Sequence, residues 1–155
     1  MGSLITAVRS LVVAGIAATP EFSTPDPETN QTPDVSFGWK ANWQAREKVW
    51  TGNAEFEHST ASLRATKTFR DEQATFELVL LISGISQTEE QVSDRMDVIG
   101  GAVEDWCATH ANWDSQITGL LWVAIEGRGS QTALFNDKGV LLERIYPITY
   151  RARLT

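Results

Sequence analysis

The segment FELVLLISGISQTEEQVSDRMDVIGGAVEDWCATH, residues 76–110, followed shortly by GLLWVAIE, residues 119–126, sets the fold. Phe76, Leu78, Leu80 and Ile82 share one face of an extended run. Thr75, Glu77, Val79, Leu81 and Ser83 share the other, so one face is wholly apolar and the other half so. This predicts a strand covered on both sides. Ser86–Glu89 and Thr88–Gln91 both satisfy the capping-box pattern, giving two possible helix starts. Val92, Met96, Ile99, Val103, Trp106 and His110 then recur at helical spacing. Gly100 and Gly101 interrupt that helix at about 1 kcal/mol each relative to alanine. They predict a kink or a close approach to a sheet. Asn112 is placed to cap the C-terminus. In the next strand Leu120, Trp122 and Ala124 oppose Leu121, Val123 and Ile125.

Upstream, Leu4, Val8, Leu11, Val12 and Ile16 repeat at helical spacing, with Ser3 as N-cap and Thr19-Pro20 as terminator. This predicts an amphipathic N-terminal helix with a small polar face. Residues 20–33 hold four of the five prolines and read as a long loop, of the kind that often makes contacts elsewhere. Val35–Trp39 and Val49–His58 read as strands, the second with a bulge at Gly52. Residues 62–83 are extended, with Arg70-Asp71-Glu72 either a bend or part of one long strand. Downstream, residues 127–139 read as a polar turn enclosing Ala133-Leu134-Phe135. Val140–Leu154 reads as a final strand with Leu142, Tyr146, Ile148, Tyr150, Ala152 and Leu154 on one face. Pro147 cannot donate to a ladder, so it marks an edge, a bulge or a break. The expected class is α+β: an antiparallel or mixed sheet packed against one long helix, with the N-terminal helix beside it, in one domain over residues 1–155.

A chain of 155 residues buries about 70% of its unfolded surface and needs no metal or disulfide to hold a core. Its single cysteine, Cys107, excludes an intramolecular disulfide. A net charge of −7 argues against a protein that grips nucleic-acid phosphates. The long helix is acidic, whereas the last segment carries Arg128, Lys138, Arg144, Arg151 and Arg153. These regions either meet across a subunit boundary or stand as two solvated faces. No stretch is long and apolar enough to span a bilayer as a helix. Ser10–Ala18 is apolar and ends in small residues, and Asn30-Gln31-Thr32 is a glycosylation sequon. Those features keep open a secreted extracellular binding domain.

No catalytic, metal or cofactor constellation stands out. His58 and His110 lack ligand neighbours at metal spacing. Cys107 lies on or beside a buried stripe and reads as a structural thiol. Glu90, Asp94 and Asp97 read as a solvated acidic face. Gly127-Arg-Gly-Ser130 lacks the ending of a phosphate loop and reads as a hairpin turn. Trp39, Trp43, Trp50 and Phe56 sit in polar surroundings; about half are expected inside and the rest at an interface.

The order of elements carries a resemblance, together with the strings Val35-Ser-Phe-Gly-Trp39, Val49-Trp-Thr-Gly52, Phe76-Glu-Leu-Val-Leu-Leu-Ile82 and Ile148-Thr-Tyr-Arg-Ala-Arg-Leu154. Over nearly its whole length the chain resembles the tail terminator proteins of long-tailed bacteriophages, particularly those of actinobacterial hosts. The resemblance implies a structural virion protein, not an enzyme. Its subunits would form a homomeric ring, as a rule a hexamer, on the head-proximal end of the tail tube. That ring would stop tube polymerisation and meet the head connector. DNA would only pass through its lumen. It would be assembled in the host cytoplasm, with no membrane and no cofactor involved. The loop at residues 20–33 is long for the family, and Pro147 interrupts a strand expected to be regular. A neighbouring head-completion or neck connector role shares the same length and class. Phe56, Arg64, Arg70, Arg151 and Arg153 are the expected subunit or tail-tube contacts. The segments 20–33 and 127–139 are candidates for facing the tube or the connector.

Overall fold

The structure, a computed structural model, describes residues 2–27, 29–40, 45–64, 67–110 and 116–155, with backbone only for 61–64 and 67–68. Trp43 and Asn112 lie outside the described residues. The chain is a mixed α+β protein with a curled six-stranded sheet. Its helices are α1 (Ile5–Ala17), α2 (Pro20–Ser23) and α3 (Glu89–Thr109). Its strands are β1 (Asp34–Ser36), β2 (Glu47–Arg64), β3 (Lys67–Ile85), β4 (Leu120–Ile125), β5 (Ser130–Asn136) and β6 (Gly139–Leu154). The strand order is β1-β2-β3-β6-β4, with β5 also paired to β6. Among the described residues only the β1–β2 pair is parallel.

The β2–β3 hairpin is the frame. β3 runs through Arg70-Asp71-Glu72 without a bend, and its partners on β2 and β6 continue in register across it. The β2–β3 register slips at Gly52–Asn53, where two β2 residues face Glu77 alone, as glycine in a strand predicts. Phe76, Leu78, Leu80 and Ile82 are buried with Leu142, Tyr146, Ile148, Tyr150, Ala152 and Leu154 of β6. The helices cover that face only. The other face, expected to be covered as well, carries no helix among the described residues. Val79 and Thr149 are buried there all the same.

Of the two possible starts for α3, the second is used. The Thr88 hydroxyl accepts from the Gln91 N–H, and the Gln91 side chain accepts from the Thr88 N–H. Val92, Met96, Ile99, Val103 and Trp106 are buried, while His110 is exposed and ends the helix as its C-cap. The glycine pair has an asymmetric cause. A Cβ on Gly100 would lie 2.6 Å from Arg144 Nη1 and 2.6 Å from the Tyr146 hydroxyl, whereas one on Gly101 meets nothing. The close approach is therefore to side chains of β6, not to the sheet backbone.

Three expectations are corrected. Residues 20–33 are not loop throughout: Pro20 opens α2 at its first position, where a missing N–H costs nothing. Phe22, Asp26 and Pro33 are buried. Residues 130–136 form β5, not a turn. In β4 the strict alternation fails, because Leu121 is an extra residue between the pairs Leu120–Ala152 and Trp122–Arg151. Leu120 and Val123 are both buried as a result.

Pro147 has a clear place. β5 pairs with residues 139–145 of β6 and β4 with residues 148–152, end to end along the same edge. Pro147 lies at the junction, where its carbonyl accepts from the Glu126 N–H. The segment Gly127–Gly129 carries the chain across this junction. It is neither a hairpin turn nor the opening of a helix.

Candidate interaction surface

β1 pairs only with Lys48–Trp50, so from Thr51 to Arg64 the outer edge of β2 has no strand partner among the described residues. The outer edges of β4 and β5 are unpaired in the same sense. The two open edges lie on opposite sides of the sheet. β5 holds no charge and no proline, the features that normally blunt an edge against pairing. Its Leu134 is 60% exposed and Phe135 64% exposed, and Ile85 at the neighbouring end of β3 is 60% exposed.

The five expected contact residues fall into two groups. Phe56 stands opposite Ala74, on the side of the sheet that carries the helices, yet it is 59% exposed; its ring lies 5.6 Å from that of His58. Arg70 is on the same side, opposite Thr60 and Leu154, and is exposed. Arg64 pairs with Lys67 at the end of the hairpin, but its side chain lies outside the described residues. Arg151 and Arg153 are on the helix-free face and converge on Asp71. Arg153 Nε donates to Oδ1 at 2.9 Å and Nη2 to Oδ2 at 3.2 Å, while Arg151 Nη2 donates to Oδ2 at 3.1 Å. These bonds, the one from Arg153 foremost, hold the Asp71 carboxyl below its ordinary range despite its burial.

The acidic and basic regions thus meet, in part, within one chain. Arg144 on β6 donates to Asp97 of α3 at 2.6 Å and to Gln131 of β5 at 2.7 Å. The Tyr146 hydroxyl donates to Glu104 at 3.0 Å. Arg95 of α3 grips the buried Glu47 through two bonds, at 2.6 and 3.0 Å, with Asp26 at 3.9 Å from its Nε. Asp26 thereby ties the proline-rich segment to α3.

Of the aromatic residues in polar surroundings, none that is described is buried. Trp39 is 61% exposed and packs edge-on against the half-buried Trp50, with centroids 5.0 Å apart. Among the described residues no three His, Cys, Asp or Glu side chains are placed to hold a metal ion. Cys107 is buried, and burial pushes its thiol up to about 12. His110 stacks on Trp106, and His58 is bound to Glu72. No described helix is long and apolar enough to cross a membrane.

No family model matches the chain, and no curated protein is significantly similar to it. The surface itself therefore carries the functional reading. Sequence reasoning missed Asp71 and Glu72 as organising carboxylates, though one signal was present: alternation from Phe76 and Leu78 places Glu72 on the apolar face.

Proposed function

We propose that this protein is a tail terminator: a structural virion protein that closes into a homomeric ring on the head-proximal end of a phage tail tube. The observation that carries the reading is the pair of sheet edges, on opposite sides of one small subunit, that have no strand partner among the described residues. Two different edges make a heterologous, head-to-tail contact, and such contacts either close into rings or run on as filaments. An uncharged edge bearing Leu134 and Phe135 supports pairing with another chain. The exposed Phe56 on the opposite edge supports the same reading. The ring would halt tube growth and present its other side to the head connector.

Particle mass tests this directly. Light scattering and negative-stain imaging of the purified chain, alone and with tail tubes, should give ring-shaped particles of several subunits. A species that stays monomeric in both conditions rejects the proposal. Phe56→Glu should shift the mass toward monomer while leaving the far-UV spectrum unchanged.

A further inference from the structure

Glu72 has no exposed surface and holds three parts of the chain together. The Tyr150 hydroxyl of β6 donates to Oε1 at 2.5 Å, and the Leu4 N–H donates to the same oxygen at 2.9 Å. His58 of β2 lies 2.7 Å from Oε2 through Nε2. An ionised carboxylate only accepts, so Nε2 carries the proton of that bond in either charge state of the ring. Ser3 adds a further hydrogen bond.

Leu4 stands at the open N-terminal end of α1, and its own side chain supplies no cap. The first N–H groups of a helix lack intrahelical partners and carry a positive partial charge. Glu72, 68 residues away in the chain, fills that role from a strand. Farther along, α1 is held by the buried Val8, Val12 and Ile16, but its first residues, Leu4 and Ile5, are only half-buried. The Ile5 N–H meets the Ser3 hydroxyl at 3.3 Å, and the Leu4 N–H meets Glu72, so the start of the helix leans on this carboxylate and on Ser3 beside it.

We propose that Glu72 is an acid-operated latch: taking up a proton releases Ser3 and Leu4 and opens the first turn of α1, while the sheet and α3 stay closed. A protonated carboxyl has one oxygen turned donor, yet Tyr150, His58 and Leu4 all still aim donors at it. With the charge gone, every bond to the carboxyl loses its charge assistance, and the segment least held by other contacts lets go. Tyr150 is fixed in a strand between β3 and β4, and His58 in the β2–β3 ladder, so the N-terminal segment yields.

The titratable groups facing Glu72 among the described residues are His58 from β2 and Tyr150 from β6. The N-terminal segment brings the Ser3 hydroxyl and the Leu4 N–H. Asp71 and its two arginines lie on the opposite face. Burial first, and then the bond to Glu72, pushes the Tyr150 phenol up, so it remains a donor throughout. Burial disfavours the Glu72 carboxylate, but its hydrogen bonds outweigh that and hold its pKa below the ordinary carboxylate range. A carboxyl depressed in the folded state stabilises above its unfolded value. That contribution is lost as pH falls through the lower folded value.

Amide hydrogen exchange of the full chain, expressed as protection from about pH 7 to about pH 3, tests the latch. Protection of residues 4–9 should fall about tenfold or more on acidification, before that of β3 and β6 changes. In Glu72→Gln the same amides should be poorly protected at neutral pH and respond little to acid. Tyr150→Phe removes one stabilising donor and should move release to higher pH. A first turn that stays protected until the strands open rejects the latch, as does a wild-type response in Glu72→Gln. Should Glu72→Gln fail to fold, an unchanged midpoint in Tyr150→Phe is decisive against it.

Discussion

Asp71 and Glu72 are neighbours in β3 that face opposite sides of the sheet, and alternation alone gives them different surroundings. Glu72 points into the helix-covered core. Asp71 points to the helix-free face, where Arg151 and Arg153 reach it. The depressed carboxyl of Asp71 contributes stability above the ordinary carboxylate range and loses it as pH falls through the folded-state value. Asp71→Asn should flatten the acid limb of a urea-midpoint-versus-pH profile; an unaltered limb rejects a role for this cluster. Arg151→Glu with Arg153→Glu should weaken ring or tail assembly, read as tail length and infectivity. Both arginines also hold Asp71, so the double variant's urea midpoint must be measured beside its assembly.

At the same scale, Gly15 lies where α1 crosses α3. A Cβ there would sit 2.0 Å from the Trp106 ring. Alanine gains about 1 kcal/mol of helix propensity but overpacks a contact at a cost of about 1–3 kcal/mol. Gly15→Ala should therefore be neutral to destabilising by about 2 kcal/mol in urea titration. A stabilised variant would show that the two helices can move apart freely.

At the scale of elements, α3 is the part most legible beforehand. Its buried stripe follows from spacing, because one face of a helix must meet the core whatever the partner. The choice of Thr88 over Ser86 as N-cap does not follow from spacing. Ser86 has φ 59° and accepts a different task, donating its N–H to the Lys138 carbonyl. Thr88→Ala should cost about 1 kcal/mol, read as a lower urea midpoint, and Ser86→Ala clearly less. β4 and β5 were less legible. A bulge at Leu121 resets which residues face inward, and β5 is exposed along nearly its whole length, so it has no buried alternation to read.

For the whole molecule, the question is what meets the two open edges. β5 without charge or proline would be a hazard for a monomer. Leu134→Lys with Phe135→Lys should lower the particle mass in light scattering and raise solubility, since Lys on an edge opposes strand pairing. Unchanged mass would remove β5 from the assembly surface. The acidic helix and the basic C-terminal segment read either as two sides of a contact between subunits or as two solvated faces; Arg144–Asp97 is made inside one chain, so that pair is not a contact between subunits.

The sequence by itself determined the α+β class, the long helix and its buried stripe, the inward face of the last strand and the bulge at Gly52. All of these are local consequences of periodicity and of glycine's missing side chain. Only the tertiary structure decided which charges pair, why Pro147 is tolerated, and which face of the sheet stays uncovered. Those outcomes depend on residues far apart in the chain meeting across strands, as Asp71 meets Arg153 and Glu72 meets Leu4, and no local pattern encodes a meeting at such range.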